Sequence, residues 1–179
     1  MEMRQDRWLK IECSGSNAQL ATNGTRECQP LEHTPPLYFY CIPEEQRDSR
    51  CLLDSDTCVV DREHFFVRGC LEIHVHQVTE PFVWGLWVSL SKANFDAFRE
   101  SFGVQKRSHI GPFFGWLSAK IPLYPSTENL KTMLHLRDDG VRPYIELEST
   151  DHPLAVEQRE GIGVDRVAEI YAYYMHPKQ

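Results

Sequence analysis

From His64 to His76 apolar and polar residues alternate, which predicts a strand with Phe65, Val67, Leu71, Ile73 and Val75 on a core face. The opposite face carries Phe66, Arg68, Cys70, Glu72, His74 and His76, a mixed and polar set, with Gly69 a candidate bulge. A shorter strand, Cys58-Val59-Val60, precedes it through Asp61-Arg62-Glu63, a plausible hairpin connection. The run from Pro81 to Ser91 is bulky on both faces, which predicts a central strand covered on both sides. Pro112 to Pro122 is aromatic and Gly-punctuated, a strand or strand-like corner. Leu130 to Arg137 and Arg142 to Glu148 flank Asp138-Asp139-Gly140-Val141, a strong turn signal. If that turn pairs Arg137 with Arg142, then Lys131 faces Glu148, Met133 faces Glu146 and His135 faces Tyr144. Leu130, Thr132, Leu134, Leu136, Ile145 and Leu147 then point to the core.

A second period, that of a helix face, appears in two places. Ser91 is placed to cap a helix whose stripe is Phe95, Phe98 and Phe102, ended by Gly103. Near the C-terminus Val164, Val167, Ala168, Tyr171, Tyr174 and Met175 form an amphipathic stripe. Pro43 opens a short helix with Glu44 and Glu45 in its first turn, after Leu37–Ile42, which reads as a strand or extended segment. These elements predict an α+β fold: a mainly antiparallel sheet with a few helices packed on it, including the C-terminal one. Residues 1–36 are polar and turn-rich, an irregular N-terminal segment, and 37–179 read as one α+β domain.

Composition narrows the function classes. The net charge of −7 argues against sequence-independent binding to DNA or RNA, which needs clustered Lys and Arg. It favours solubility, or a basic protein partner reached by electrostatic steering. The chain has no apolar run long enough to span a bilayer, and its first residues lack the apolar core of a secretory signal; a cytoplasmic protein is expected. The six cysteines include no Cys-x-x-Cys pair, so they are read as reduced, mostly structural thiols. With no phosphate loop and no Gly-x-Ser-x-Gly elbow, the sequence calls for no cofactor and names no catalytic class.

Candidate chemistry concentrates at the end of the last strand. Tyr144 to Gly163 runs from a strand through Ser149-Thr150-Asp151 and His152-Pro153 into a polar helix with Glu157. Asp151, His152 and Glu157 suit acid–base work, since a carboxylate can orient an imidazole that handles a proton. Capping explains the same residues: Asp151 or Thr150 as N-cap, Pro153 in the first turn, Glu157 to Glu160 on a solvated face, Gly161 as the stop. Arg68, Glu72, Lys131 and Glu146 are charged residues of the polar sheet face, where structural ion pairing competes with ligand binding. His74 and His76 share one strand face at the spacing of two β-sheet metal ligands, half of a coordination shell. Trp84, Trp87 and Trp116 with Phe113 and Phe114 suit a pocket lining, though aromatic strands usually serve the core.

The order of motifs CVVD (58–61), FFVRG (65–69), WGLWVSLS (84–91), FGWLS (114–118), LKT (130–132), RPYIELE (142–148) and TDHPLAVEQREGI (150–162) resembles a bacterial family, domain of unknown function 2199. The resemblance runs from about Pro36 to the C-terminus and implies no activity. Members that the chain resembles often begin with a Cys-x-x-Cys-Gly-x-x-His cluster like a small zinc knuckle. Here Cys13 stands, but Ser16 and Asn17 replace the second thiol and the glycine, and half a thiolate pair does not hold zinc tightly.

Two functions are therefore expected in competition. The first is a non-enzymatic binding protein for a basic partner, as a toxin-neutralising immunity protein is. The second is an enzyme or small-ligand binder that uses the polar sheet face near His152 and Glu157.

Overall fold

The computed structural model of the chain describes residues 10–12, 19–21 and 34–175. Two short strands, β1 (Lys10–Glu12) and β2 (Gln19–Ala21), pair antiparallel within the segment expected to be irregular. Cys13, Ser16 and Asn17, the positions of the degenerate knuckle, lie outside the described residues.

A 3₁₀ turn over Leu37–Cys41 replaces the strand or extended segment expected there. Helix α1 (Glu44–Arg50) follows Pro43 as expected, because proline's fixed φ suits a helix entry and Glu44 and Glu45 face the positive end of the dipole. The sheet then runs as β3 (Cys51–Leu53), β4 (Thr57–Val60), β5 (His64–Ile73), β6 (Phe82–Leu90), β7 (Phe113–Leu117), β8 (Lys131–His135) and β9 (Tyr144–Leu147). Asp61 and Arg62 both take positive φ in the β4–β5 turn, the left-handed pair that matches hairpin twist. The β8–β9 register is the one the turn implied: Met133 opposite Glu146 and His135 opposite Tyr144. Ser91 caps α2 (Lys92–Glu100), its side chain accepting from the Asn94 N–H at 3.2 Å.

The α+β class holds, but the sheet needs correcting: it is mixed and closed. Neighbours in the order β3 to β9 pair antiparallel, and β5 also meets β9 in parallel at Cys70 and Tyr144. A meander of five antiparallel strands leaves its first and last strands pointing the same way, so closing β5–β9 into a barrel requires that parallel contact. Gly69 permits the approach. It pairs in unbroken register with Leu86, so it is not a bulge, and a Cβ on it would lie 2.8 Å from Ile145 Cγ1 and 3.0 Å from the Pro143 carbonyl.

The core has two parts. Phe65, Val67, Leu71, Ile73 and Val75, the expected inner face of β5, join Trp84, Leu134, Ile145 and the helices in the larger one. The other face of β5 is covered as well, contrary to the expectation of a polar surface. Phe66 packs with Ile42, Cys51, Cys58, Val60 and Trp87 in a second cluster, and Arg68 and Cys70 are buried beside it. Phe39 of the 3₁₀ turn and Ile42 just after it, with Cys51 of β3, all non-local to β5, supply that cover. Burial pushes the Cys58 thiol up to about 12, so it stays protonated at neutral pH, and Cys41, Cys51, Cys58 and Cys70 are free thiols.

Two more helices complete the fold, α3 (Pro153–Glu160) and α4 (Val164–Met175). On α2, Phe95 and Phe98 are buried, but Phe102, in the turn after the helix, is half exposed. The C-terminal stripe is rotated from the expected one. Val167 and Ile170 are buried with Tyr171 and Tyr174 packed beside them, whereas Val164, Ala168 and Met175 are exposed. Among the described residues, no helix is long and apolar enough to cross a membrane.

Candidate functional site

Strand alternation sets which residues face outward on the barrel. On β8 and β9 these are Lys131, Met133 and His135 against Tyr144, Glu146 and Glu148. Each charged candidate there is engaged locally. Lys131 Nζ reaches Glu148 Oε1 at 3.3 Å, the cross-strand pair expected from the turn, and His135 Nε2 meets Glu146 Oε2 at 2.7 Å. Further along, Arg137 donates from Nη1 to Glu72 Oε1 at 2.5 Å and from Nε to the Arg142 carbonyl at 2.6 Å. Arg68 is only 6% exposed, its guanidinium 5.6 Å from the centre of the Trp87 ring, so it belongs to the second core rather than to an open face. Beside it, Arg142 bonds Asp56 at 2.8 Å, and buried Arg107 donates to the Arg137 and Val141 carbonyls. Arginines thus pin the 137–143 turn to the barrel.

The 144–163 corner is built for closure. The N-cap of α3 is His152, not Asp151 or Thr150: its Nδ1 accepts from the Leu154 N–H at 3.2 Å, and Thr150 Oγ1 accepts from the His152 N–H. Asp151 is exposed. Gln158, expected on a solvated face, donates to the Ile145 carbonyl at 2.7 Å and accepts from the Leu147 N–H at 2.9 Å. Its amide thus acts as a short extra strand where β9 parts from β5. Gly161 ends the helix with φ 83°, and Ile162 then pairs with β5's extension, exchanging backbone bonds with His74 and His76 at 2.8 Å.

Glu157 is also not solvated. It accepts a short hydrogen bond from the Tyr124 hydroxyl and one from Arg166 Nε at 2.9 Å, with its side chain 19% exposed. Burial, with Glu157 alongside, holds the Tyr124 hydroxyl well above the ordinary tyrosine range. Burial alone would lower Arg166, but its bond to Glu169 and the charge of Glu157 outweigh this and hold it above the usual range. The Arg166 guanidinium also lies 5.3 Å from the Tyr124 ring centre. This trio joins α3, α4 and the loop after β7.

The predicted site residues therefore do not converge. Glu72, Lys131 and Glu146 lie on one outer surface in separate pairs. Arg68 is buried, His152 is a cap and Glu157 is an internal tie. His74 and His76 are exposed with ring centres 5.8 Å apart, and His76 Nε2 contacts the Glu160 carbonyl at 3.0 Å. Among the described residues, no group of three or more His, Cys, Asp and Glu is arranged to hold a metal ion. Removing the cap is expected to cost about 1 kcal/mol in His152→Ala, with His152→Asn retaining most of it. Urea unfolding measures both; equal losses would show that the capping bond is not what His152 contributes.

The aromatic set, undivided in the sequence, splits between core and surface. Trp84, Trp87 and Phe113 are core, whereas Phe114 and Trp116 point outward, 44% and 41% exposed, with ring centres 5.3 Å apart. The signal was the alternation within Phe113–Leu117, since Phe113, Gly115 and Leu117 had to share the inner face. Trp116 borders a cleft of about 200 Å³ that runs to Lys131, Glu148 and Thr150 over an apolar floor of Leu130, Leu147 and Ala155.

A family profile described as an uncharacterised protein conserved in bacteria (DUF2199) matches residues 22–162. The match starts before Pro36 and ends ahead of α4. No curated protein and no solved structure matches the chain.

Proposed function

We propose, for a chain that belongs to this bacterial DUF2199 family, that it is a non-enzymatic cytoplasmic binding protein that takes a basic protein partner. The observation that carries this reading is the dispersal of the polar candidates. Catalysis needs an acid, a base and a reacting atom within hydrogen-bond reach of one another. Here Glu72, Glu146, Lys131 and Glu157 each have a separate protein partner, and His152 spends its acceptor nitrogen on the Leu154 amide. The cleft beside Trp116, at about 200 Å³, is smaller than the roughly 300–1,000 Å³ that small-ligand sites occupy. The net charge of −7 steers a basic partner, in the manner of an immunity protein that neutralises a toxin.

Affinity capture at low salt, identification of the captured protein and a titration with the purified pair test the reading. A partner of high isoelectric point is expected, with binding that weakens as salt screens the exposed charges. Absence of any stable partner at low salt, or a partner that is acidic, overturns it.

A further inference from the structure

We infer that the partner is gripped on the outer face of β7, β8 and β9, by an extended basic segment that lays one large apolar side chain against Phe114 and Trp116 and a Lys or Arg beside it at the cleft rim. This rests on the binding reading above and names its surface.

Two adjacent rings left outward on a strand are unusual where the rest of the β7 alternation is spent on the core. Phe114 and Trp116 stand 44% and 41% exposed in edge-to-face contact, opposite Met133 and Lys131 of β8. Exposed aromatics with a polar border are the surface that anchoring side chains use. The floor of the adjoining cleft is apolar, through Leu130, Leu147 and Ala155, which suits the aliphatic stem of a long cationic side chain.

Charge decides the sign of the occupant. Glu128, Glu146, Glu148 and Asp151 are exposed on this face or next to the cleft residues Asn129 and Thr150. Two cations beside the cleft, Lys131 and Arg159, are held to Glu148 and Glu160 at 3.3 Å each. A cationic head arriving at Glu148 displaces Lys131 from a pair in which both side chains are about half exposed, a small loss. It gains the Trp116 ring face and the remaining carboxylates.

Panning a phage-displayed library of random linear peptides on the whole protein tests this, followed by titration of the best peptide against variants. Enriched peptides are expected to combine Lys or Arg with a large apolar residue. Trp116→Ala and Glu148→Lys should each weaken the selected peptide by about 10-fold or more. Leu52→Ser, at an exposed apolar position on β3, should leave binding unchanged. No enrichment, acidic consensus peptides, or equal affinity across the variants overturns the assignment. So does a dimer of the wild-type chain that Trp116→Ala dissociates, which would make a second copy the occupant. If the captured protein partner still binds Trp116→Ala at full strength, the surface is wrong and the binding function stands. If no partner is captured at all, it is the function that fails.

Discussion

Replacing Gly115 by alanine is expected to lower stability by about 3 kcal/mol, the upper end of what overpacking usually costs. A Cβ built at Gly115 falls 2.4 Å from Val88 Cγ1, 2.5 Å from the Ser89 carbonyl oxygen and 2.9 Å from Leu90 Cδ2. A side-chain tip can turn aside, but the Ser89 oxygen belongs to the backbone of β6, which is fixed between β5 and β7. Relief therefore requires the β6–β7 ladder to part at Leu90 and Gly115, beside the helix that Ser91 caps. Gly163→Ala is the control, because a Cβ there would meet nothing within 4 Å and its φ lies outside the left-handed region. The Gly163 carbonyl accepts the first bond of α4, from the Val167 N–H, so alanine should cost less than about 1 kcal/mol, the small penalty of alanine against glycine at an N-cap. Urea unfolding with unchanged m-value reads both. Equal midpoints for the two variants would mean that β6 and β7 are not held as closely as the geometry requires.

Glu157→Ala is expected to cost about 2–4 kcal/mol, because it leaves Arg166 and the Tyr124 hydroxyl half-buried without their shared acceptor. The exposure that remains, 19% for Glu157 and 23% for Arg166, keeps the figure below that of a fully enclosed pair. Arg166 retains Glu169 at 2.8 Å, but that carboxylate is 64% exposed and substitutes poorly. In a cycle with Arg166→Met, a coupling of about 1–3 kcal/mol is expected from residues in direct contact. A coupling near zero would reduce Glu157 to a packing residue.

Alkaline pH reports on Tyr124 of this trio and on Tyr174. Tyr124 is held above the ordinary tyrosine value, and burial pushes Tyr174 up to about 12. The unfolded chain therefore ionises first, near pH 10. The stability that these hydroxyls contribute is complete below about pH 10 and is lost as pH rises beyond it. The decline above pH 10 should be shallower in Glu157→Ala, since one cause of the Tyr124 shift is gone.

Much of the candidate site could be read in part. The Lys131–Glu148 pair and the β8–β9 register followed from one turn, because hairpin register is set by neighbours in sequence. The helix after Pro153 and its stop at Gly161 were also local events, although His152 took the capping role expected of Asp151 or Thr150. What α3 does with its polar residues was not legible. Gln158 and Glu157 look like surface on a helical wheel, and only the approach of β9, Tyr124 and Arg166 turns them inward. Arg68 misled for the same reason: a charged residue alternating outward on a strand meets Trp87 and the cluster that Phe39, Ile42 and Cys51 complete.

By itself the sequence determined the α+β class, the segments of β4 to β9 and of the four α-helices, the inner face of β5 and the family, since each depends on short-range periodicity or on ordered motifs. The tertiary structure alone decided closure. Whether five strands lie open or curl until β5 meets β9 depends on Gly69 against Ile145 and Pro143, residues far apart in the chain, and on α3 filling the gap. No local pattern encodes a contact between distant strands, because alternation states which face a residue takes and not what will cover that face.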